Sequence, residues 1–151
     1  MIPGYHVGYV LDASVAVKWF AERAEADRDR ALAIRARHIA GRVRLFVPWS
    51  FPLEVANAIR LGHRFSEADV IAAVQALDDL RLDIEAIDFN LLRKTVAIAF
   101  AYKLTIYDAV YVAVAEAVGF PLLTADDALL KKMRGHSIVL RLRDLAVGER
   151  R

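Results

Sequence analysis

The chain of 151 residues contains no cysteine, which excludes disulfides and thiolate metal sites. It also lacks an apolar run near the ~18 residues of a membrane-spanning helix, because Lys103, Asp108 and Glu116 interrupt the longest apolar tracts. The N-terminus shows no basic leader with a small-residue cleavage site, so no secretory signal is visible. These absences favour a cytoplasmic protein with no membrane partner, in which oxygen or imidazole would hold any metal.

Excess positive charge is small but unevenly distributed. A net charge of +2 and a pI near 9.0 do not by themselves indicate nucleic-acid binding. Two spans are nevertheless rich in basic residues, and two interpretations stay open for them: solvated faces or tails, and surfaces for a phosphate backbone. The basic residues are Arg28, Arg30, Arg35, Arg37, Arg42 and Arg44 in the first span, and Lys131, Lys132, Arg134, Arg141, Arg143, Arg150 and Arg151 in the second.

Short apolar segments alternate with helical patterns along the chain. The length fits a single domain over residues 1–151, with 1–6 as a flexible tail. Helices between short strands predict parallel pairing through right-handed crossovers, and therefore a three-layer α/β/α sandwich with a mostly parallel five-stranded sheet. The strand at 84–87 is expected at an edge. Predicted strands cover about 7–11, 45–47, 82–88, 122–123 and 138–140, and predicted helices include about 22–40, 66–80 and 89–103.

Residues 104–127 form the best-marked unit of the sequence. Apolar residues at spacings of three and four predict a helix with one buried stripe. Thr105, three residues before Asp108, predicts a cap at its start, and Gly119 followed by Pro121 predicts its end. A short buried strand then leads to acidic residues. The predicted stripe comprises Ile106, Ala109, Val110, Ala113, Val114 and Ala117.

Three acids occupy equivalent positions in this predicted fold. Asp12 follows the first strand, Glu54 lies just inside the helix after the second strand, and Asp126 follows the fourth strand. Asp108 begins the helix that leads into that fourth strand. In an open parallel sheet the carboxyl ends of the strands face a common crevice. Taken singly, Asp12 also fits a turn residue and Glu54 also fits a favourable first-turn helix charge.

Acids gathered in one crevice need a counter-cation. Two carboxylates ~4 Å apart repel by about 4 kcal/mol at an effective dielectric constant of ~20. Oxygen-only ligands point to Mg²⁺, with Mn²⁺ as a substitute, and the hydroxyls of Ser14 and Thr124 would support them. Such a site suits phosphoryl chemistry, since a bound cation activates water and neutralises charge on a phosphodiester oxygen.

The segments DASVAVKWF, EVANAI and YDAVYVAVAEAVGFPLLTADD, in this order, resemble the PIN domain and in particular the VapC-type ribonuclease toxins of toxin–antitoxin pairs. The resemblance runs from about Val10 to the final strand. It implies Mg²⁺-dependent endoribonuclease activity, homodimers and inhibition by a small antitoxin. Separately, the basic first span predicts that Arg35 and Arg37 contact RNA or antitoxin. By this resemblance Asp12, Glu54, Asp108 and Asp126 are the catalytic, metal-binding acids, supported by Ser14, Asn57 and Thr124.

One departure from the family pattern is Asp127, which directly follows the fourth acid. It fits either a fifth ligand or a helix cap, and we favour the cap because it stands three residues after Thr124. A haloacid-dehalogenase phosphatase would need a second acid where Ser14 stands. A phospho-receiver domain would need an acid pair beside Asp12. A PIN fold kept only for binding RNA or protein is the non-enzymatic alternative, and the presence of all four acids argues against it.

Overall fold

The structure, a computed structural model, describes residues 7–21, 25–62 and 64–146. Its strands are β1 (Gly8–Leu11), β2 (Arg44–Pro48), β3 (Asp83–Glu85), β4 (Leu122–Thr124) and β5 (Val139–Arg141). They form a five-stranded sheet in the order β3-β2-β1-β4-β5, and every pairing is parallel. The α/β class is therefore confirmed. Strand β3 lies at an edge, as predicted.

Helices connect the strands. They are α1 (Ala13–Val17), α2 (Arg28–Ile39), α3 (Phe51–Leu61), α4 (Glu67–Asp79), α5 (Phe89–Tyr102), α6 (Ile106–Val118) and α7 (Asp127–Lys132), with 3₁₀ turns at Lys18–Phe20 and Leu142–Asp144. No single helix in the described part of the chain could by itself cross a membrane. Only α5 and α6 together meet that test by length and composition, and they are bent by 114° where they meet.

By sequence, Ser14 is predicted to cap a helix after the first strand, and a second helix is predicted over about 22–40; the structure differs at both helix starts. Helix α1 begins at Ala13 with Asp12 as its N-cap residue, so Ser14 lies inside the first turn and does not cap it. The Ser14 hydroxyl is used across the fold instead, where it accepts a hydrogen bond from the backbone of Ala125. Helix α2 begins at Arg28, after Asp27 in the left-handed conformation. Residues 22–24 of the longer predicted helix lie outside the described ranges. The predicted tail, residues 1–6, also lies outside them.

Helix α6 is the most deeply buried helix segment in the described chain. Seven consecutive residues, Ala109 to Ala115, are buried, so the middle of the helix is enclosed on all sides rather than along one stripe. The two ends of the predicted stripe, Ile106 and Ala117, are exposed. The predicted boundaries are confirmed, because Thr105 accepts a hydrogen bond from the backbone of Asp108 and Gly119 ends the helix at φ 76°.

The alternation of apolar and acidic residues over 82–88 predicts that Asp83 is a surface charge, but the structure pairs it with Arg44. Arg44 donates two hydrogen bonds of 2.7 Å to the carboxylate of Asp83, and its guanidinium lies 5.1 Å from the centre of the Phe46 ring. This contact joins β2 to the edge strand β3. Asp83 is thus not simply solvated, and Arg44 is engaged within the fold.

Candidate active site

The sheet topology gathers the sequence-predicted acids at one edge. Strands β1 and β4 are parallel neighbours, so Asp12 and Asp126, which follow them, lie at the same carboxyl edge. Helix α3 follows β2, the other neighbour of β1, and carries Glu54 in its first turn. Helix α6 must return the chain to the amino edge before β4 begins. Asp108 in its first turn therefore also lies at the carboxyl edge.

Asp12 is held by two hydroxyl groups. It is 6% exposed, and its Oδ2 accepts hydrogen bonds from Ser14 at 2.5 Å and from Thr124 at 2.8 Å. Both hydroxyls also accept backbone hydrogen bonds of 3.0 Å, Ser14 from Ala125 and Thr124 from Asp126. The turn after β4 is thereby attached to Asp12, and Oδ1 has no hydrogen bond within the described part of the chain.

Burial raises the pKa of Asp12 above its ordinary value, because the ionised form is desolvated. The hydrogen bonds from Ser14 and Thr124 lower that pKa in part, since they favour the charged form. Asp108 and Asp126 raise it further by repulsion. The carboxylate therefore carries an electrostatic cost that a nearby cation would relieve.

Glu54 has a different environment. Its Oε2 accepts a hydrogen bond of 2.7 Å from the hydroxyl of Tyr111, whereas its buried Oε1 has no hydrogen-bond partner in the described structure. Ser50 is close enough to lower the pKa of Glu54, although its buried hydroxyl also has no hydrogen-bond partner in the described structure. Burial, followed by repulsion from Asp12 and Asp108, raises the pKa of Glu54 to about 7.

Asp108 is half-buried at the start of α6. Burial is the main cause that raises its pKa, and repulsion from Asp126 adds to it. The Thr105 hydroxyl and the ammonium group of Lys132 lower the pKa of Asp108. Lys132 reaches this region from α7, where its Nζ donates a hydrogen bond of 3.0 Å to the backbone carbonyl of Lys103.

Asp126, not Asp127, caps α7. The Oδ1 of Asp126 accepts hydrogen bonds from the backbone of Ala128 at 2.9 Å and of Leu129 at 3.2 Å. Asp127 is the first helical residue, its side chain is 82% exposed, and its nearest cation is Arg141 at 3.8 Å. The cap predicted for Asp127 is therefore wrong, because the neighbouring acid makes it.

The donor atoms at this edge suit a hard divalent cation. Acidic neighbours raise the pKa values of Asp12, Glu54 and Asp108, the chain has no cysteine, and a carboxylate oxygen of Glu54 is buried without a partner in the described structure. No three His, Asp or Glu side chains among the described residues already form a group that could hold a metal. A cation would therefore have to draw these carboxylates closer together.

Three predicted residues are not part of this cluster. Asn57 lies one turn after Glu54 on α3, is exposed, and makes no side-chain hydrogen bond within the described structure. Arg35 and Arg37 are half-buried in the second half of α2. Arg35 follows the start of that helix by seven residues, or ~10 Å along its axis, in the direction of the amino edge.

Two residues near the acids were missed by the sequence analysis. Tyr111 follows Asp108 by three residues, so both lie on one face of α6, and that spacing was the available signal. Lys132 appeared only as one member of a basic span. Nothing local in the sequence indicates that its side chain reaches the turn before α6.

The structure thus combines an all-parallel α/β fold with an acidic cluster at the carboxyl edge of its sheet. Residues 9–135 match the family profile described as the PIN domain, and the chain therefore belongs to the PIN-domain family. PIN domains are generally nucleases, and they typically use divalent metals. No individual curated protein matches the chain significantly.

Among the solved structures that this chain resembles in fold, two illustrate the range of sequence identity. A crystal structure of a Pyrobaculum aerophilum protein is similar at 26% identity, with a TM-score of 0.61 and 90% of each chain covered. A toxin–antitoxin complex from Klebsiella pneumoniae is similar in fold, with 19% identity, a TM-score of 0.63, and 91% of this chain and 99% of that chain covered.

Proposed function

We propose that this protein is a Mg²⁺-dependent endoribonuclease that hydrolyses RNA phosphodiesters. The observation that carries the proposal is the set of carboxylates at the carboxyl edge, among which burial and acidic neighbours raise the pKa values of Asp12, Glu54 and Asp108. A protein retains such a repulsive cluster most readily where a cation compensates it. Membership of a family whose members are generally nucleases supports the same conclusion.

Asp12, Glu54, Asp108 and Asp126 would hold the cation. Mg²⁺, or Mn²⁺ in its place, would supply an activated water and a positive charge against the developing phosphodiester oxyanion. The protein supplies orientation: Ser14 and Thr124 fix Oδ2 of Asp12, which leaves Oδ1 available. In Asp126, Oδ1 already accepts hydrogen bonds from the backbone at the start of α7.

RNA is the proposed substrate because exposed cations adjoin the acids. Lys132 and Lys103 are exposed, and the ammonium group of Lys132 is close enough to Asp108 to lower its pKa. Lysine side chains in this position can contact phosphate oxygens on either side of the cut bond. Arg35 and Arg37 remain candidates for RNA or antitoxin contact farther from the acids.

We further propose that the protein is the toxin of a VapC-type toxin–antitoxin pair and acts as a cytoplasmic homodimer. The supporting observations are the sequence segments that resemble such toxins and the fold shared with a chain of a Klebsiella pneumoniae toxin–antitoxin complex. Co-expression with the reading frame immediately upstream tests this. A small protein encoded there should co-purify with the chain and inhibit its activity, and its failure to do so would contradict the toxin assignment.

The nuclease proposal is tested by RNA cleavage with purified protein. Wild type should cut RNA with Mg²⁺ and stop with EDTA, whereas Asp12→Asn and Asp108→Asn should lose cleavage while staying folded. Asp29→Asn is the matched control, since Asp29 is an exposed acid at the start of α2. Cleavage by either site variant at the wild-type rate would refute the site assignment.

The competing function is a PIN fold that binds RNA or protein without catalysis. It predicts RNA binding that needs no metal and no product in the cleavage assay. The phosphatase alternative is not supported, because the family match over residues 9–135 is to the PIN domain. All four acids are present at the expected positions, which favours the enzyme over the binding module.

A further inference from the structure

Tyr111 is a fully buried tyrosine whose polar group points to the acidic cluster. It is 0% exposed, and its hydroxyl donates a hydrogen bond of 2.7 Å to Oε2 of Glu54. Within the described residues, the Glu54 carboxylate accepts this one side-chain hydrogen bond, and its Oε1 is buried without a partner. One oxygen of Glu54 is therefore held by Tyr111, and the other makes no hydrogen bond within the described structure.

The same tyrosine connects the elements that carry the acids. It lies one turn after Asp108 on α6, and its hydroxyl interacts with the backbone of Ala13, the residue after Asp12. Through Glu54 it also reaches α3. A single side chain thus touches three separate parts of the chain that meet at the carboxyl edge.

We propose that Tyr111 is a positioning residue that orients Glu54, so that Oε1 is presented to a divalent cation. The inference rests on the proposed metal-dependent function. A glutamate side chain has three rotatable bonds, and holding it in one orientation before binding reduces the entropy that binding would otherwise cost. Hydrogen-bond partners of metal ligands typically change metal affinity by about 10- to 100-fold when they are removed.

Packing alone does not explain this residue. A phenylalanine would fill the same volume, whereas a buried hydroxyl is unfavourable unless it is hydrogen-bonded. Its side-chain partner is an ionisable carboxylate, and a hydrogen bond to an ionised group is about twice as strong as a neutral one. The alternative is that this bond only attaches α6 to α3, and that alternative predicts a loss of stability without a change in metal affinity.

The direct test is Mn²⁺ binding by Tyr111→Phe, measured on the full chain as free Mn²⁺ by electron paramagnetic resonance. We expect the Kd to rise by about 10-fold or more. Tyr107→Phe is the matched control, because Tyr107 lies on the same helix, is 69% exposed and has no side-chain hydrogen bond within the described structure. A Tyr111→Phe Kd equal to that of wild type would overturn the proposal.

A double-mutant comparison tests whether Tyr111 acts through Glu54. In a Glu54→Gln background, Tyr111→Phe should cause much less additional loss of Mn²⁺ affinity than it does in wild type. Fully additive losses would overturn the proposal. In RNA cleavage, Tyr111→Phe should raise the Mg²⁺ concentration needed for half-maximal rate and leave the KM for RNA unchanged, because a residue with 0% exposure cannot touch the substrate.

A measurement on unmodified protein covers the case in which the variant folds poorly. With ¹³Cζ-labelled tyrosine, the Tyr111 resonance should shift during a Mg²⁺ titration with the same Kd as metal binding, while the Tyr107 resonance should not. An unmoved Tyr111 resonance would overturn the inference.

The two proposals can fail separately. If wild type binds Mn²⁺ and Tyr111→Phe binds it equally well, the Tyr111 inference fails and the nuclease proposal stands. If metal binds as expected but RNA is not cut, the nuclease proposal fails and the positioning role stands. If wild type binds neither Mn²⁺ nor Mg²⁺, both fail.

Discussion

Asp12 and Glu54 are acids at the same edge of one sheet, yet the fold holds them in different ways. Asp12 follows a buried strand, and two hydroxyls donate to the same one of its oxygens. Glu54 lies on a helix, has a longer side chain, and receives one hydrogen bond, from Tyr111. Asp12 is therefore part of the rigid framework of the site. Glu54 is held by fewer hydrogen bonds, and its Oε1 is the atom that we expect a cation to bind.

The largest expected effect concerns the framework around Asp12. Thr124→Val removes a donor to Asp12 and the acceptor for the backbone of Asp126, so we expect a loss of about 3 kcal/mol in the free energy of unfolding, measured by urea titration. Thr95→Val is the control, since Thr95 is equally buried but its hydroxyl only donates to the Leu91 carbonyl within α5. We expect the Thr95→Val control to lose about 1 kcal/mol or less. Equal losses in the two variants would mean that the hydrogen bonds around Asp12 contribute no more stability than one side-chain hydrogen bond within a helix.

The second expected effect separates the two acids by their dependence on metal. Free Mg²⁺ at about 100 times its Kd should raise the free energy of unfolding of wild type by about 2.7 kcal/mol. Asp12→Asn should lose this stabilisation, while Glu54→Gln should keep part of it, because the Asp12 framework does not depend on Glu54. Thermal unfolding with and without Mg²⁺ measures this stabilisation. If Glu54→Gln lost more of it than Asp12→Asn, Glu54 and not Asp12 would be the more important acid for metal binding.

The third effect is a pH dependence in EDTA. Because the pKa of Glu54 is raised from 4.5 to about 7, the folded state binds more protons than the unfolded state in that interval. Stability from this group is therefore fully present below about pH 4.5 and falls as the pH rises to about 7. The unscreened shift corresponds to about 3 kcal/mol, and we expect about 2 after solvent screening.

Glu54→Gln isolates that contribution. The variant should show a shallower decline of urea-unfolding free energy over the same pH interval and should be more stable than wild type at pH 8 in EDTA. Asp12 and Asp108 also have raised pKa values, so a residual decline is expected to remain. An unchanged pH profile in the variant would show that Glu54 is not the main destabilising charge.

The smallest effect is expected away from both acids. Changing Arg35 and Arg37 together to Ala should reduce the slope of log RNA affinity against log salt by about 1.4 if both contact a single-stranded phosphate backbone. The rate at which bound RNA is cleaved should change little, because these residues lie on α2 and not at the acidic cluster. An unchanged slope would identify them as solvated or packing residues.

The fold was largely predictable because its topology follows from simple patterns. Apolar strands between helical segments predict parallel pairing, and parallel pairing decides which strand ends share an edge. That reasoning, from the sequence alone, placed Asp12, Glu54 and Asp126 at equivalent positions of the fold. It placed Asp108 less directly, because Asp108 does not follow a strand but begins the helix that runs back across the sheet to the fourth strand.

What could not be predicted depended on contacts between distant parts of the chain. The local pattern favours Ser14 as the cap of α1, but its hydroxyl accepts a hydrogen bond from the backbone of Ala125, 111 residues away. The bond from Tyr111 to Glu54 spans 57 residues, so only the helical spacing from Asp108 hinted at it. Periodicity describes a residue's own element and does not specify which side chain of another element it meets.

The cap of α7 by Asp126 complicates any mutational scan of this edge. Its carboxylate supports the first turn of a short helix through Oδ1, which already accepts from two backbone amides. Replacing Asp126 with alanine would remove both hydrogen bonds from that turn and disturb Lys132 at the other end of α7, even if the chemistry never used the acid. Asp126→Asn, which keeps an acceptor oxygen for the amides, is therefore the informative substitution, and alanine there would report on helix formation and hydrolysis together.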